Sequence, residues 1–293
     1  PVFDRSGLAA LSDLKDKGYH ELFLKLEKSQ QSFLLKEKEF RSPDYPWPSD
    51  ALHWWSRIWE YPYIYHHLRQ LKDKLPNEKP RVLDLGSGVT FFPFTVANHG
   101  YHLSCLDPDP VCKQDFDKAI LAVGDKSLTL DYSLLEGNRY PFPDQTFDIV
   151  YSISVLEHIE DLSSTIREIL RVLKEDGSLF LTIDIDLRGD SEIGVEKYHS
   201  LKSHLAKHFD FLYPETTIHP KDLLTSENSP FPIPDLKGIN KYSTQFKQRL
   251  LKPLLGRKPG PWRAPRLAVE GMILRKRQTE KIQDSGYRII DNG

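Results

Sequence analysis

The sequence predicts an α/β protein built on a doubly wound, mostly parallel sheet, and two observations carry that prediction. From about residue 80 to residue 186, short apolar strands alternate with helical stretches, as in successive βαβ units. Within that alternation, "VLDLGSGVT" (82–90) runs from a buried strand straight into a Gly-x-Gly turn. Open sheets of this kind bind ligands just there, beyond the carboxyl ends of their strands.

Bulk properties are consistent with this class. A chain of 293 residues at 39% hydrophobic content suits one large domain with additions, or two small ones. A net charge of −2 gives no global electrostatic footprint for nucleic acid or a membrane surface. Cys105 and Cys112 are the only cysteines, which predicts a reducing, cytoplasmic setting without a disulfide framework. No apolar run reaches the roughly 18 residues of a membrane span, and no leader pattern is present. The chain opens on Pro1, and Met272 is its only methionine, so a trimmed start and a longer natural chain with a further fused domain are expected to be compatible with it.

Three regions follow in order. Residues 1–75 form a helical, aromatic-rich cap, with amphipathic helices over 8–40, a proline-rich loop "SPDYPWPSD" (42–50), and a helix capped by Ser49 or Asp50 that Pro62 breaks or kinks. Residues 76–186 form the ligand-binding core. Its strands are "RVLDLG", "HLSCLD", "LTLDYSLLE", "FDIVYSI" and "GSLFLTIDI", with helices over 91–99, about 109–122 and 161–173. Residues 187–293 hold an acceptor-shaping insertion and, in "RLAVEGMILRK", a late strand.

The turn itself narrows the ligand. Gly86 and Gly88 let the backbone turn sharply and approach a guest closely. A dinucleotide turn would place a third small residue where Phe91 stands, and a nucleotide-hydrolase phosphate loop would need a lysine the turn lacks. Asp107 closes the second strand about 20 residues on, where an acid reaches ribose hydroxyls. Asp84, beside the turn, repels pyrophosphate and welcomes positive charge. The implied guest is a nucleoside bearing positive charge, which S-adenosyl-L-methionine satisfies better than NAD.

Four segments in order, "VLDLGSGVT", "LSCLDPD" (103–109), "YPFPDQTFDIVYSISVLEHIED" (140–161) and "EILRVLKEDGSLFLTIDI" (168–185), resemble the class I S-adenosylmethionine-dependent methyltransferases. The resemblance implies a seven-stranded Rossmann-like sheet whose antiparallel edge pair includes the late strand. It implies that Asp84, Gly86 and Gly88 meet the methionine portion, that Asp107 holds the ribose, and that Pro108 and Asp109 lie beside the adenine. Glu136 would meet the adenine amino group, with Asp131 as a competitor, and Ser152 and Ile153 would border the cofactor. His158 lies in a segment that would face the cofactor and acceptor pocket, and is a candidate catalytic base. Glu136 also reads as a solvated loop acid, His158 as a capping or packing residue, and Asp107 as a helix cap.

The predicted activity is methyl transfer to oxygen, onto a hydroxyl or carboxylate of a small natural product or short modified peptide. A hydroxyl needs a base and a carboxylate does not, and the other base candidates are His199, Tyr198, Asp184 and Asp186. Sugar O-methylation for a cell-surface glycan, N-methylation, and a non-catalytic cofactor-binding module or one half of a bifunctional chain are the alternatives. Trp47, Trp54, Trp55 and Trp59 read either as a lid over an apolar or ring-bearing acceptor or as glue against the sheet. Residues 247–277 carry ten Lys or Arg against the single acid Glu270, which reads as a solvated face or as a basic rim steering an anionic acceptor. Nucleic acid is disfavoured as acceptor because no RNA-binding module is recognisable. No metal site is expected, since His66 and His67 are adjacent and the two cysteines lack a partner pair.

Overall fold

Every residue of "FDIVYSI" is buried, so this strand must be covered on both faces, and a sheet with such a central strand calls for helices on each side. The computed structural model, which describes residues 2–72, 74–75, 79–123, 127–188, 194–233 and 266–278, has that arrangement. Its strands are β1 (Gly7–Leu8), β2 (Arg81–Leu85), β3 (His102–Asp107), β4 (Thr129–Leu134), β5 (Phe147–Ile153), β6 (Leu173–Asp186), β7 (Phe209–Phe211) and β8 (Leu267–Lys276). The helices are α1 (Lys17–Leu34), α2 (Glu37–Phe40), α3 (Arg57–Lys72), α4 (Phe92–Asn98), α5 (Pro110–Val123), α6 (Leu162–Val172) and α7 (Val195–His208).

The strands form one sheet in the order β1-β8-β6-β5-β2-β3-β4, with β7 also pairing to β8. Pairs β2–β3, β2–β5, β3–β4 and β5–β6 are parallel, whereas β8 runs antiparallel to β6, β7 and β1. The strand order reverses between β2 and β5, which opens a crevice at their carboxyl ends. The seven predicted strands are thus joined by a two-residue eighth, β1, which the N-terminal segment adds beside β8.

Two apolar layers cover the sheet. One holds α1, α3, α4 and α5, including Leu26, Phe33, Trp59, Tyr63, Phe92 and Phe116, and the other holds α6 and α7, including Ile166, Ile169, Leu201 and Leu205. Helix α1 buries Tyr19, Leu22, Leu26, Gln30 and Phe33, a three- and four-residue spacing that makes one face. Asp16 caps it, accepting from the amides of Gly18 at 2.7 Å and Tyr19 at 3.2 Å.

Three expectations change in detail. Helix α3 starts at Arg57 rather than after Asp50, because Asp50 is engaged with the His53 amide at 3.0 Å and the Gln30 side chain at 2.6 Å. Pro62 lies inside α3 without ending it: the helix forgoes one ladder bond and holds through the burial of Ile58, Trp59, Tyr63 and Ile64. The predicted fifth strand is longer, reaching back to Leu173. Of the predicted basic stretch 247–277, residues 247–265 lie outside the described residues, as do the terminal residues 279–293.

Candidate functional site

At the crevice between β2 and β5 a cleft of about 760 Å³ opens, a size typical of small-ligand sites. Its walls include Asp84, Gly86, Ser87, Gly88, Asp107, Pro108 and Asp109 from the ends of β2 and β3. Ile153, Ser154, Val155, His158 and Asp184 come from the ends of β5 and β6 and the turn after β5. Tyr45, Trp47, Trp54, Arg57 and Tyr61 close it from the N-terminal region.

The glycines are required by the backbone. Gly86 has φ +75° and Gly88 φ +53°, both in the left-handed region, and a Cβ on Gly86 would overlap the Val155 side chain. The turn is then tied down from two sides. The Gly88 amide donates to Asp107 Oδ2 at 3.1 Å, and the Val89 amide donates to the Tyr45 hydroxyl at 3.0 Å. Arg41 stacks 3.9 Å over the Tyr45 ring and donates to the Val89 carbonyl at 3.0 Å. The proline-rich loop is thereby pinned over the turn.

The acids divide by environment. Asp84 is buried and accepts from the Tyr151 hydroxyl at 2.7 Å. Burial, with Asp107 nearby and against the Tyr151 hydrogen bond, pushes its pKa up to about 8. Asp107 accepts the amides of Gly88 and Asp109 and faces the cleft; burial raises its pKa against those two hydrogen bonds. The cap of α5 is Asp109, which accepts the Val111 amide at 2.8 Å, so Asp107 is not spent on capping.

The other predicted residues lie as follows. Pro108 and Ile153 line the cleft. Ser152 is buried behind it, its hydroxyl donating to the Leu85 carbonyl at 3.1 Å and so joining β5 to β2. Glu136 is exposed in the turn after β4 and does not line the cleft. His158 is exposed at the mouth, at the end of a 3-10 turn over Leu156–His158. His199 is exposed on α7, and Tyr198 and Asp186 also stand outside the lining. The four tryptophans split: Trp47 and Trp54 face the cleft, whereas Trp55 and Trp59 are core, with the Trp59 indole N–H on Asp13 at 2.8 Å.

One constellation was not assembled from the sequence. At the inner end of the cleft Arg57 pairs with Glu60, and Glu60 also accepts from the Ser154 hydroxyl at 2.6 Å and from Thr182. Ser154 holds φ +48°, a left-handed conformation for a non-glycine residue. The Asp184 amide donates to Glu157 Oε1 at 2.9 Å, and the buried Glu157 Oε2 has no hydrogen-bond partner among the described residues. Burial and the neighbouring Glu60 push Glu157 up to about 8, against the hydrogen bond from Asp184. Burial, Glu60 and Glu157 hold Asp184 well above the usual carboxylate range although Arg57 opposes them. The sequence shows an acid inside an aromatic helix, one after β5 and one near the end of β6, but nothing local marks them as one group.

Away from the cleft, donor atoms of Asp4, His66 and His67 lie within 4.8 Å of one another. His66 Nε2 is 2.8 Å from Asp4 Oδ1, and Gln70 donates to the same oxygen at 3.0 Å.

The cradle suits S-adenosylmethionine. A glycine turn without lysine, a buried acid at the turn, a second acid free to accept from ribose hydroxyls, and aromatic walls match its ammonium, ribose and ring in kind. Comparison with known proteins agrees. The methyltransferase domain family matches residues 83–181. Norajmaline N-methyltransferase of Rauvolfia serpentina is 34% identical over 103 residues, covering 33% of this chain and 34% of that protein. Sterol 4-C-methyltransferase strm-1 of Caenorhabditis elegans is 26% identical over 133 residues, 44% of this chain and 38% of that protein. The chain therefore spans well under half the length of these relatives. The crystal structure of the YcgJ protein of Bacillus subtilis superposes with a TM-score of 0.47 at 16% identity, covering 73% of this chain and 100% of that one. Residues 83–181 thus form a methyltransferase domain with the class I S-adenosylmethionine-dependent fold.

Proposed function

We propose that the protein is an enzyme that transfers a methyl group from S-adenosylmethionine to a hydroxyl of a small molecule of specialised metabolism. The observation that carries this reading is the single cleft in which Asp84, Gly86, Gly88 and Asp107 stand at one end and a group able to take a proton stands at the other. When bound, the cofactor supplies an electrophilic methyl carbon. The protein's part is to hold donor and acceptor in line and to exclude water.

In this reading Asp107 accepts from the ribose hydroxyls, the Gly86–Gly88 backbone lies against the methionine portion, and Asp84 meets its ammonium. Pro108 and Ile153 flank the nucleoside, and Ser152 supports the strand end from behind. Glu136 would need the turn after β4 to bend inward to reach an adenine. The exposed Trp47 and the half-buried Trp54 give the acceptor apolar contact. Bases stand at two places, His158 at the mouth and Asp184 at the inner end.

The lining favours a hydroxyl over a carboxylate acceptor. Asp50, Asp84, Asp107, Asp109 and Asp184 face the cleft, and its one described guanidinium, Arg57, is already paired with Glu60. The same acid excess favours an amine as the second reading, in keeping with the N-methyltransferase named among the relatives. A sugar hydroxyl or a peptide side chain would meet the same chemistry.

Isothermal titration with S-adenosylmethionine, S-adenosylhomocysteine and NAD in parallel tests the reading. Binding of both sulfur nucleosides with Kd near roughly 1 μM, about −8 kcal/mol, and none of NAD is expected. Binding of NAD alone overturns it.

A further inference from the structure

At the inner end of the cleft three carboxyl groups meet one guanidinium. Glu60 is fully buried and takes donors from Arg57, Ser154 and Thr182, so the Arg57 charge is balanced there. Among the described residues, no salt bridge puts a cation on the carboxylates of Glu157 and Asp184. Lys197 donates to the main-chain carbonyl of Glu157 at 2.6 Å rather than to its side chain. A buried carboxylate oxygen without a donor, as at Glu157 Oε2, is costly while charged. Such a pair settles by sharing a proton or by receiving a cation from a guest. Asp184 is the member that reaches the cleft, and Ser154, 3.3 Å from Asp184 Oδ1, is held in its left-handed turn between Asp184 and Glu60.

We propose that the Glu60–Glu157–Asp184 cluster is the proton-accepting site for the acceptor's nucleophile, with Asp184 touching the acceptor, so that the cleft takes hydroxyls or ammonium groups and rejects carboxylates. The inference rests on the methyl-transfer reading and names the acceptor chemistry of that site. In the step, the acceptor's O–H or N–H bond breaks and its electron pair stays on the heteroatom, which becomes the nucleophile. The proton passes to the ionised Asp184 carboxylate and leaves through the cleft mouth to water. Glu60 and Glu157 are positioning residues: Glu60 absorbs the Arg57 charge, and Glu157 holds the Asp184 backbone and keeps that carboxyl's proton affinity high. Groups facing Asp184 are Arg57 and Glu60 from α3, Glu157 from the turn after β5, and Ser154. A carboxylate whose proton affinity is raised by burial and by neighbouring acids is matched to this task.

The experiment titrates benzylamine, phenol and benzoate, three ring compounds differing in the polar group, into the intact protein saturated with S-adenosylhomocysteine. Benzylamine and phenol are expected to bind at least about tenfold more tightly than benzoate, a gap of roughly 1.4 kcal/mol. Benzylammonium should displace the shared proton near pH 7, seen as a heat that differs between buffers of different ionisation enthalpy. Asp184→Asn should abolish that release while leaving S-adenosylhomocysteine affinity intact. Glu157→Gln should move the pH at which the release occurs without removing benzylamine binding, an effect a merely structural role would not produce; it also carries the test should Asp184→Asn fail to fold. Equal or tighter binding of benzoate, no binding of either protic probe, or proton release unchanged in both variants overturns the proposal. Failure of S-adenosylhomocysteine itself to bind brings down the methyl-transfer reading instead, so the two failures are separable.

Discussion

At one end of the cleft, Asp84, Gly86, Gly88 and Asp107 come from a single βαβ unit, β2 through β3, and are fixed by main-chain geometry: two left-handed glycines and two amides on one carboxylate. At the other end, Arg57, Glu60, Ser154, Glu157 and Asp184 come from α3, the turn after β5 and the end of β6, and are brought together by side-chain contacts that join those separate elements. The first end is a rigid backbone cradle that selects shape. The second is a charge network that responds to what binds, because its carboxyls lack enough cations to remain ionised together. In the proposed reading a nucleoside belongs to the first and a variable acceptor to the second.

The largest expected effect breaks the cradle. Gly86→Ala forces a Cβ into the Val155 side chain at a positive φ, where a left-handed alanine alone costs about 1–2 kcal/mol. Calorimetry should find S-adenosylhomocysteine binding lost or weakened by more than about tenfold, with the fold retained by circular dichroism; unaltered affinity would mean that the turn does not meet the ligand. Asp107→Ala comes next. It should weaken the same ligand by about 1–3 kcal/mol, the scale for hydrogen bonds to a charged group, and an unchanged Kd would remove the ribose assignment.

A third prediction sharpens the contrast in protonation. Asp84 has a pKa of about 8 in the folded chain, against roughly 3.9 unfolded. The native state therefore holds a proton that the unfolded chain has lost between those values. This contribution to stability is complete at acid pH and fades as the pH rises from about 4 towards 8. Docking of an ammonium at Asp84 should expel that proton, so S-adenosylhomocysteine binding at pH 7 releases close to one proton, and Asp84→Asn releases none. Equal release by wild type and variant would place the ammonium elsewhere. The smallest effect is expected at the rim. Trp47→Ala, at a side chain 59% exposed, should leave cofactor affinity unchanged and weaken phenol binding by about 0.5–1.5 kcal/mol; a larger loss for the nucleoside than for phenol would reassign Trp47 to the cradle.

The same contrast explains what the sequence discloses. Strands β3 and β5 fall on "HLSCLD" and "FDIVYSI" as read, because a strand buried on both faces leaves a short run rich in apolar residues between turn signals. Asp84, Gly86, Gly88 and Asp107 were legible because a glycine turn at a strand end is a local feature, written in neighbouring residues. Glu60 was not: an acid inside "RIWEYPYIY" carries no local sign that it will face Ser154 and Thr182 across the sheet. The tryptophans show the same limit, since density along the chain identified an aromatic segment but not that Trp55 and Trp59 turn inward while Trp47 and Trp54 meet the cleft. Pro62 was read by its local penalty, and the burial around it prevailed.

A crystal structure of the chain with S-adenosylhomocysteine tests the division of the cleft most directly. The account predicts ribose hydroxyls on the Asp107 carboxylate, the amino group at Asp84 and the sulfur pointing toward Ser154 and Asp184, with the space between Trp54 and Arg57 left for the acceptor. A nucleoside seated against Arg57 and Asp184, or outside the cleft, would contradict it.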